Sequence, residues 1–90
     1  MLESKIKIIN QLGLHARAAA QLVRLAGKFK SKITLMRTDN KVMADAKSIL
    51  SVLTLAAARG TELELKVEGE DEDEAARAIQ EIINNGFGEL

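Results

Sequence analysis

The spacing of apolar residues changes several times along the chain, and each change marks an element. Lys5-Ile6-Lys7-Ile8 alternates with period two, which predicts a strand over residues 3–9 with one face buried. Asn10 to Leu14 breaks that alternation around Gly13 and reads as a loop. From Ala16 to Phe29 the period lengthens. Ala16, Ala19, Ala20, Val23 and Ala26 share one helical face, flanked by Leu22 and Leu25. The Ala-rich composition favours this helix, and Gly27 weakens its last turn.

Lys32 to Met36 alternates again. Thr38-Asp39-Asn40-Lys41 carries turn residues and Val42 to Ala44 is a short third strand, so the segment predicts a hairpin. Ser48 to Ala57 is apolar at helical spacing, and Gly60 closes it. Thr61 to Val67 alternates without a break. Glu70 to Asn85 predicts the last helix, with Ala75, Ile79, Ile82 and Ile83 inward and acidic residues in the first turn, where the helix dipole favours them. Asn84-Asn85-Gly86 is a helix stop. The order is β-α-β-β-α-β-α. Half-polar strands need helices on one face only. The expected fold is therefore α+β, a two-layer open-faced sandwich with a mainly antiparallel four-stranded sheet and three helices on one face. The 90 residues are read as one domain, 1–90.

Composition narrows the chemistry. There is no Cys, so disulfides, thiolate zinc sites and cysteine nucleophiles are excluded. His15 is the only His, and no second ligand stands near it, so no metal is expected. Phe29 and Phe87 are the only aromatics, which argues against stacking on nucleic-acid bases. The acidic run Glu68 to Glu74 has its Gly too early for a calcium loop. No apolar signal core opens the chain, and the longest uncharged stretch, Ile49 to Ala58, is about half of a membrane span. A cytoplasmic protein without membrane insertion is expected.

The formal charge is zero but unevenly spread. Residues 1–37 carry eight basic side chains against Glu3, a net +7, while residues 38–90 carry five basic and twelve acidic ones, a net −7. Such a split either steers an acidic partner to one face or disappears into a mixed surface on folding.

Two segments carry candidate chemistry. In Gly13-Leu14-His15-Ala16-Arg17-Ala18, the His stands where loop becomes helix. The backbone N–H groups of Ala16, Arg17 and Ala18 lack helical acceptors there, so they and the dipole form an anion site beside the imidazole. Arg17 adds a planar cation suited to phosphate oxygens. The plainer alternative is a loop or N-cap His beside a solvated Arg. In Lys47-Ser48-Ile49-Leu50-Ser51-Val52, Ser48 suits either a helix N-cap or a phosphorylation site, whose charge would repel an acidic partner from a neighbouring apolar patch.

These two motifs, the Gly60-Thr61 strand start and the Glu68-Gly69-Glu70-Asp71 segment occur in an order that resembles the HPr/NPr family. Its members are histidine phosphocarriers of the bacterial phosphoenolpyruvate-dependent sugar phosphotransferase system or of its nitrogen branch. The resemblance covers nearly the whole chain. It implies the open-faced sandwich already read from the pattern. It also implies phosphorylation of His15 on Nδ1, assistance by Arg17, and no cofactor. Ser48 matches the serine that HPr kinase/phosphorylase modifies in lineages that have it. The implied partners are enzyme I as donor and enzyme IIA domains as acceptors. They would dock on a monomer through a face including Arg24, Ile49, Leu50 and Val52. An HPr-like binding module, regulating through protein contacts rather than transport, is the alternative. Two positions depart from the family: Ala18 stands where Pro is usual, and Ser51 where many relatives carry Gly or Lys. Ala18 adds a backbone donor close to the bound phosphoryl group.

Overall fold

The alternating segments pair into one sheet in the computed structural model, which describes residues 1–90. The elements are β1 (Leu2–Lys7), α1 (Ala16–Ala26), β2 (Lys32–Arg37), β3 (Met43–Asp45), α2 (Ile49–Thr54), β4 (Glu62–Glu68) and α3 (Glu72–Asn84), followed by a 3-10 turn, Gly86–Gly88. The strand order is β1-β4-β2-β3, and every neighbouring pair is antiparallel. The period-two pattern sets the face: Leu63, Leu65 and Val67 of β4 are buried while Glu62 and Glu68 are exposed. Ile6, Ile33, Leu35 and Ala44 join them from the other strands. The three helices close this face with Ala18, Ala19, Leu22 and Ala26 from α1, Val52 from α2, and Ala75, Ala76, Ile79 and Ile83 from α3. Each fully buried Leu or Ile contributes about 1.5–3 kcal/mol by leaving water.

Helix α1 stops at Ala26, three residues before the apolar spacing predicts. Gly27 caps it, with its N–H donated to Val23 O at 3.0 Å. Its inward stripe is also rotated from the expected one: Ala16 is exposed, and Ala18 and Leu22 are fully buried. Helix α2 is six residues long rather than ten. Ala56 takes a left-handed conformation, φ 48°, and ends it. Arg37 of β2 donates from Nη1 to Leu55 O at 2.9 Å and to Ala56 O at 3.2 Å, so the freed carbonyls at the helix end are satisfied across the fold. Leu55 and Ala57 then enter the core from non-helical backbone.

The sheet sets part of the charge split in the sequence face to face. Basic β1 lies against acidic β4 in the register Glu3↔Lys66, Lys5↔Glu64, Lys7↔Glu62, and Lys32 of β2 faces Glu68. Opposite charges therefore face each other across the strands of the open face.

Asp71, at the start of α3, acts across the fold rather than on its own helix. Its carboxylate accepts from the N–H groups of Lys30 at 2.8 Å and Ser31 at 2.9 Å, and from the Ser31 hydroxyl. These donors, the Ser31 hydroxyl first, hold the carboxyl below its ordinary pKa. The contact ties the turn after α1 to the base of α3.

Candidate functional site

His15 is the N-cap residue of α1, with extended backbone (φ −72°, ψ 177°) and no capping bond from its side chain. Its carbonyl accepts the first helical bond, from Ala19 N at 2.8 Å. The N–H groups of Ala16, Arg17 and Ala18 precede that bond and have no intrahelical acceptor. The first turn of α1 contains no acidic residue, whereas that of α3 contains Glu72, Asp73 and Glu74. The positive end of α1 is thus left open to an anion beside the imidazole.

The loop before His15 is rigidly held. Gly13 sits in left-handed backbone at φ 66°. Its N–H donates to Asn10 O at 3.1 Å, its carbonyl accepts from Asn10 Nδ2 at 2.8 Å, and Leu14 N donates to Ala57 O at 2.9 Å. Asn10 is fully buried. These bonds set the direction in which the chain delivers His15 to the helix.

Glu89 completes the cluster, and no local feature of the sequence points to it. Its Oε2 lies 2.6 Å from His15 Nε2 and accepts from Arg17 Nη2 at 3.0 Å, while Oε1 accepts from Asn10 Nδ2 at 3.0 Å. The 3-10 turn returns the chain to the loop, anchored by buried Phe87 in left-handed backbone at φ 56°. His15 and Glu89 are 74 residues apart, so no spacing rule links them. The nearest signal is the helix stop at Asn84-Asn85-Gly86, which says that the chain turns but not where it goes. His15 Nδ1 takes no part in this cluster. An open cleft of about 510 Å³ bordered by Gln11, Gln21, Phe87 and Glu89 flanks Arg17, whose side chain is 66% exposed. The guanidinium has room to change partners.

Hydrogen bonds from Asn10, then Arg17, then His15, lower the pKa of Glu89 from an ordinary value near 4.5 to about 2. Because folding lowers this pKa, the contribution is complete above pH 4.5 and is lost as pH falls towards about 2. NMR signals of Gly88 and of the Asn10 side-chain amide should move with that low midpoint. A midpoint near 4.5 would mean that Glu89 is free in solution.

The second motif lies on α2. Ser48 is its N-cap and accepts from Ser51 N at a long 3.4 Å. The Ser51 hydroxyl acts elsewhere, since its Oγ accepts from Asp45 N at 2.9 Å and ties α2 to β3. Gly at that position would lose the bond. Ile49 and Leu50 are 40% and 75% exposed, and Arg24 is exposed. Val52 corrects the expected docking face. It is fully buried, because a six-residue helix turns one side to the sheet and Val52 occupies that side. Leu12 and Leu53, not anticipated from the sequence, are exposed apolar residues on the loop before His15 and on α2. Ala18 is fully buried, so only its backbone is offered to the site. No helix is long and apolar enough to cross a membrane.

Comparison with known proteins agrees with this geometry. The family profile described as "PTS HPr component phosphorylation site" matches residues 2–85. A phosphocarrier protein HPr from Pseudomonas aeruginosa is 51% identical over 85 residues, covering 94% of this chain and 93% of the relative. One from Neisseria meningitidis is 47% identical over 89 residues, covering 99% and 98%. The crystal structure of HPr-C-His from Thermoanaerobacter tengcongensis superposes with a TM-score of 0.92 at 43% identity, covering 100% of this chain and 99% of that one. With its sheet order, its histidine at the start of α1 and this full-length similarity, the chain belongs to the HPr family of phosphocarrier proteins of the phosphotransferase system.

Proposed function

We propose that His15 accepts a phosphoryl group from phospho-enzyme I and passes it to enzyme IIA domains. The observation that carries this reading is the placement of the imidazole: it stands at a helix N-terminus whose first turn holds no acidic residue, beside Arg17, with its side chain unused in capping. Nε2 is engaged by Glu89, which leaves the Nδ1 lone pair as the nucleophile. The lone pair attacks phosphorus as the bond to the donor breaks, and the electron pair leaves with the donor. Little covalent work falls to other groups, so rate comes from positioning and charge neutralisation. Arg17 and the N–H groups of Ala16, Arg17 and Ala18 hold the phosphoryl oxygens. Arg17 moves from Glu89 to do so, and this exchange keeps the phosphoryl group from being bound too tightly to leave.

Docking uses the exposed Ile49 and Leu50 of α2 and Arg24 of α1, with Leu12 and Leu53 as further exposed apolar residues. The reading is of a cytoplasmic monomer that presents this face to successive partners. The test is intact-protein mass spectrometry after incubation with phosphoenolpyruvate and enzyme I. A gain of one acid-labile phosphoryl group is expected. No gain, with an enzyme I that phosphorylates a control HPr, would favour a binding module that lost the chemistry.

Ser48 is the regulatory position in this reading. A phosphate there places close to two negative charges next to Ile49 and Leu50. Ser48→Asp should weaken enzyme I binding about tenfold, measured by calorimetry. Unchanged affinity would leave Ser48 as a cap only.

A further inference from the structure

We infer that Asn10 is a positioning residue for phosphoryl transfer: its buried side-chain amide locks the turn 10–13 and so fixes the direction in which His15 is presented. This rests on the carrier reading above and deepens it. It does not depend on the contact between Glu89 and the imidazole.

The turn has little of its own to hold it. Gln11 and Leu12 at its tip are exposed, so apolar burial does not fix them. Both polar backbone groups of Gly13 end on Asn10 instead. Gly13 N donates to Asn10 O at 3.1 Å, and Gly13 O accepts from Asn10 Nδ2 at 2.8 Å. That carbonyl shares one planar peptide group with Leu14 N. Leu14 N donates to Ala57 O at 2.9 Å. A single peptide plane is therefore pinned on both sides, by Asn10 on its oxygen and by Ala57 on its N–H. Leu14 beyond it is buried, and His15 follows directly. Release of the oxygen lets the plane rotate, and the rotation is passed to the residue that carries the imidazole.

Packing alone does not account for an amide at this position. Asn10 and Ser31 are the two buried polar residues of the chain. Ser31 meets Asp71 with its N–H and its hydroxyl, whereas Asn10 Oδ1 has no hydrogen-bond partner. A buried acceptor without a donor destabilises a fold, and a leucine of similar volume would carry none. The amide supplies what leucine lacks, two N–H donors. Both face groups that only accept, Gly13 O and, at 3.0 Å, Glu89 Oε1. These acceptors settle which way the amide points and leave Oδ1 turned away. Incomplete pairing kept next to the reacting group marks a functional demand on that residue.

The experiment measures rapid-quench phosphoryl uptake from phospho-enzyme I in wild type, Asn10→Ala, Asn10→Leu and Ser31→Ala, each well below its melting temperature. Hydrogen exchange of the Leu14 amide is followed in the same proteins and needs no activity. Asn10→Ala should lower kcat about tenfold or more, since slight misdirection of reacting groups has effects of that size. KM should not change, because Arg24, Ile49 and Leu50 lie on α1 and α2. Leu14 exchange should quicken. Asn10→Leu fills the space and removes the unpaired oxygen, so it should melt above Asn10→Ala yet transfer as slowly. Ser31→Ala loses its bond to Asp71, away from the site, and should transfer at the wild-type rate. Asn10→Ala is repeated in a Glu89→Ala background. A similar fold-loss there supports action through the turn, while no further loss means action through Glu89 only and overturns the inference. Wild-type rates in Asn10→Leu would overturn it, since filling space would then suffice. So would a raised KM with unchanged kcat, unchanged Leu14 exchange in Asn10→Ala, or equal slowing in Ser31→Ala. Wild-type protein that takes up no phosphoryl group would overturn the carrier reading, and with it this inference, whatever Leu14 exchange shows.

Discussion

His15→Ala should take up no phosphoryl group from phosphoenolpyruvate and enzyme I, and should fold like the wild type. Both halves follow from the site. The chain has no other His, and every other group in the cluster is a cation, a carboxylate or an amide donor. Arg17 and the helix N–H groups bind phosphoryl oxygens but offer no lone pair to phosphorus. Loss of the nucleophile is therefore complete rather than partial. The fold survives because the ring makes no capping bond, and Glu89 retains Asn10 and Arg17 as partners. Stability should stay within about 1 kcal/mol of wild type, since the partly buried ring gives up a single hydrogen bond. Mass spectrometry and thermal melts check the two halves. Residual acid-labile phosphate on a folded His15→Ala protein would place the acceptor elsewhere.

Gly13→Ala should produce the largest loss of stability of any single-methyl change in the loop. Gly13 has φ 66°, which costs an L-residue with a Cβ about 1–2 kcal/mol. The added Cβ would also lie 2.5 Å from Ala57 O and 2.9 Å from Ala58 Cα. Neither is a flexible side chain. Ala57 O is the acceptor for Leu14 N at 2.9 Å, so moving it breaks the bond that leads into His15. Overpacking of this kind costs a further 1–3 kcal/mol or so. The total, about 2–5 kcal/mol, is a large part of the 5–15 kcal/mol or so typical of a domain. The melting temperature should fall by about 10 °C or more. Phosphoryl uptake should slow in the fraction that remains folded, because the loop aims the imidazole. A fall of only a few degrees would show that the loop can yield at Ala57.

Local spacing carries much of this protein. Strand β4 announces itself through Leu63, Leu65 and Val67, because an alternating strand holds its buried face in its own residues. The hairpin of β2 and β3 is readable for the same reason, with turn residues between two short alternating runs. Gly13 to Arg17 reads as a candidate anion site because a helix N-terminus is a local property of the chain, and the phosphoryl role comes from the family resemblance. Helix ends are harder to read. The apolar spacing runs on past Ala26 and Thr54, but Gly27 stops the first helix, and left-handed Ala56 with Arg37 across the fold stops the second. Val52 differs from the expectation because a short apolar helix does not say which of its residues face the sheet.

The element order, the buried face of each strand and the place of His15 at the start of a helix are all written in the chain. Each is a matter of spacing within a few residues, where side-chain period and backbone capping act directly. What surrounds His15 is settled by folding alone. The order β1-β4-β2-β3 lays basic β1 against acidic β4 and turns a charge split along the chain into a mixed surface. The return of the C-terminal turn sets Glu89 on His15 and Arg17, and Asn10 joins it from 79 residues away. Such contacts depend on how packed elements close in space, and a carboxylate finds its imidazole there because burial of Phe87 and Asn10 leaves it few other places to go.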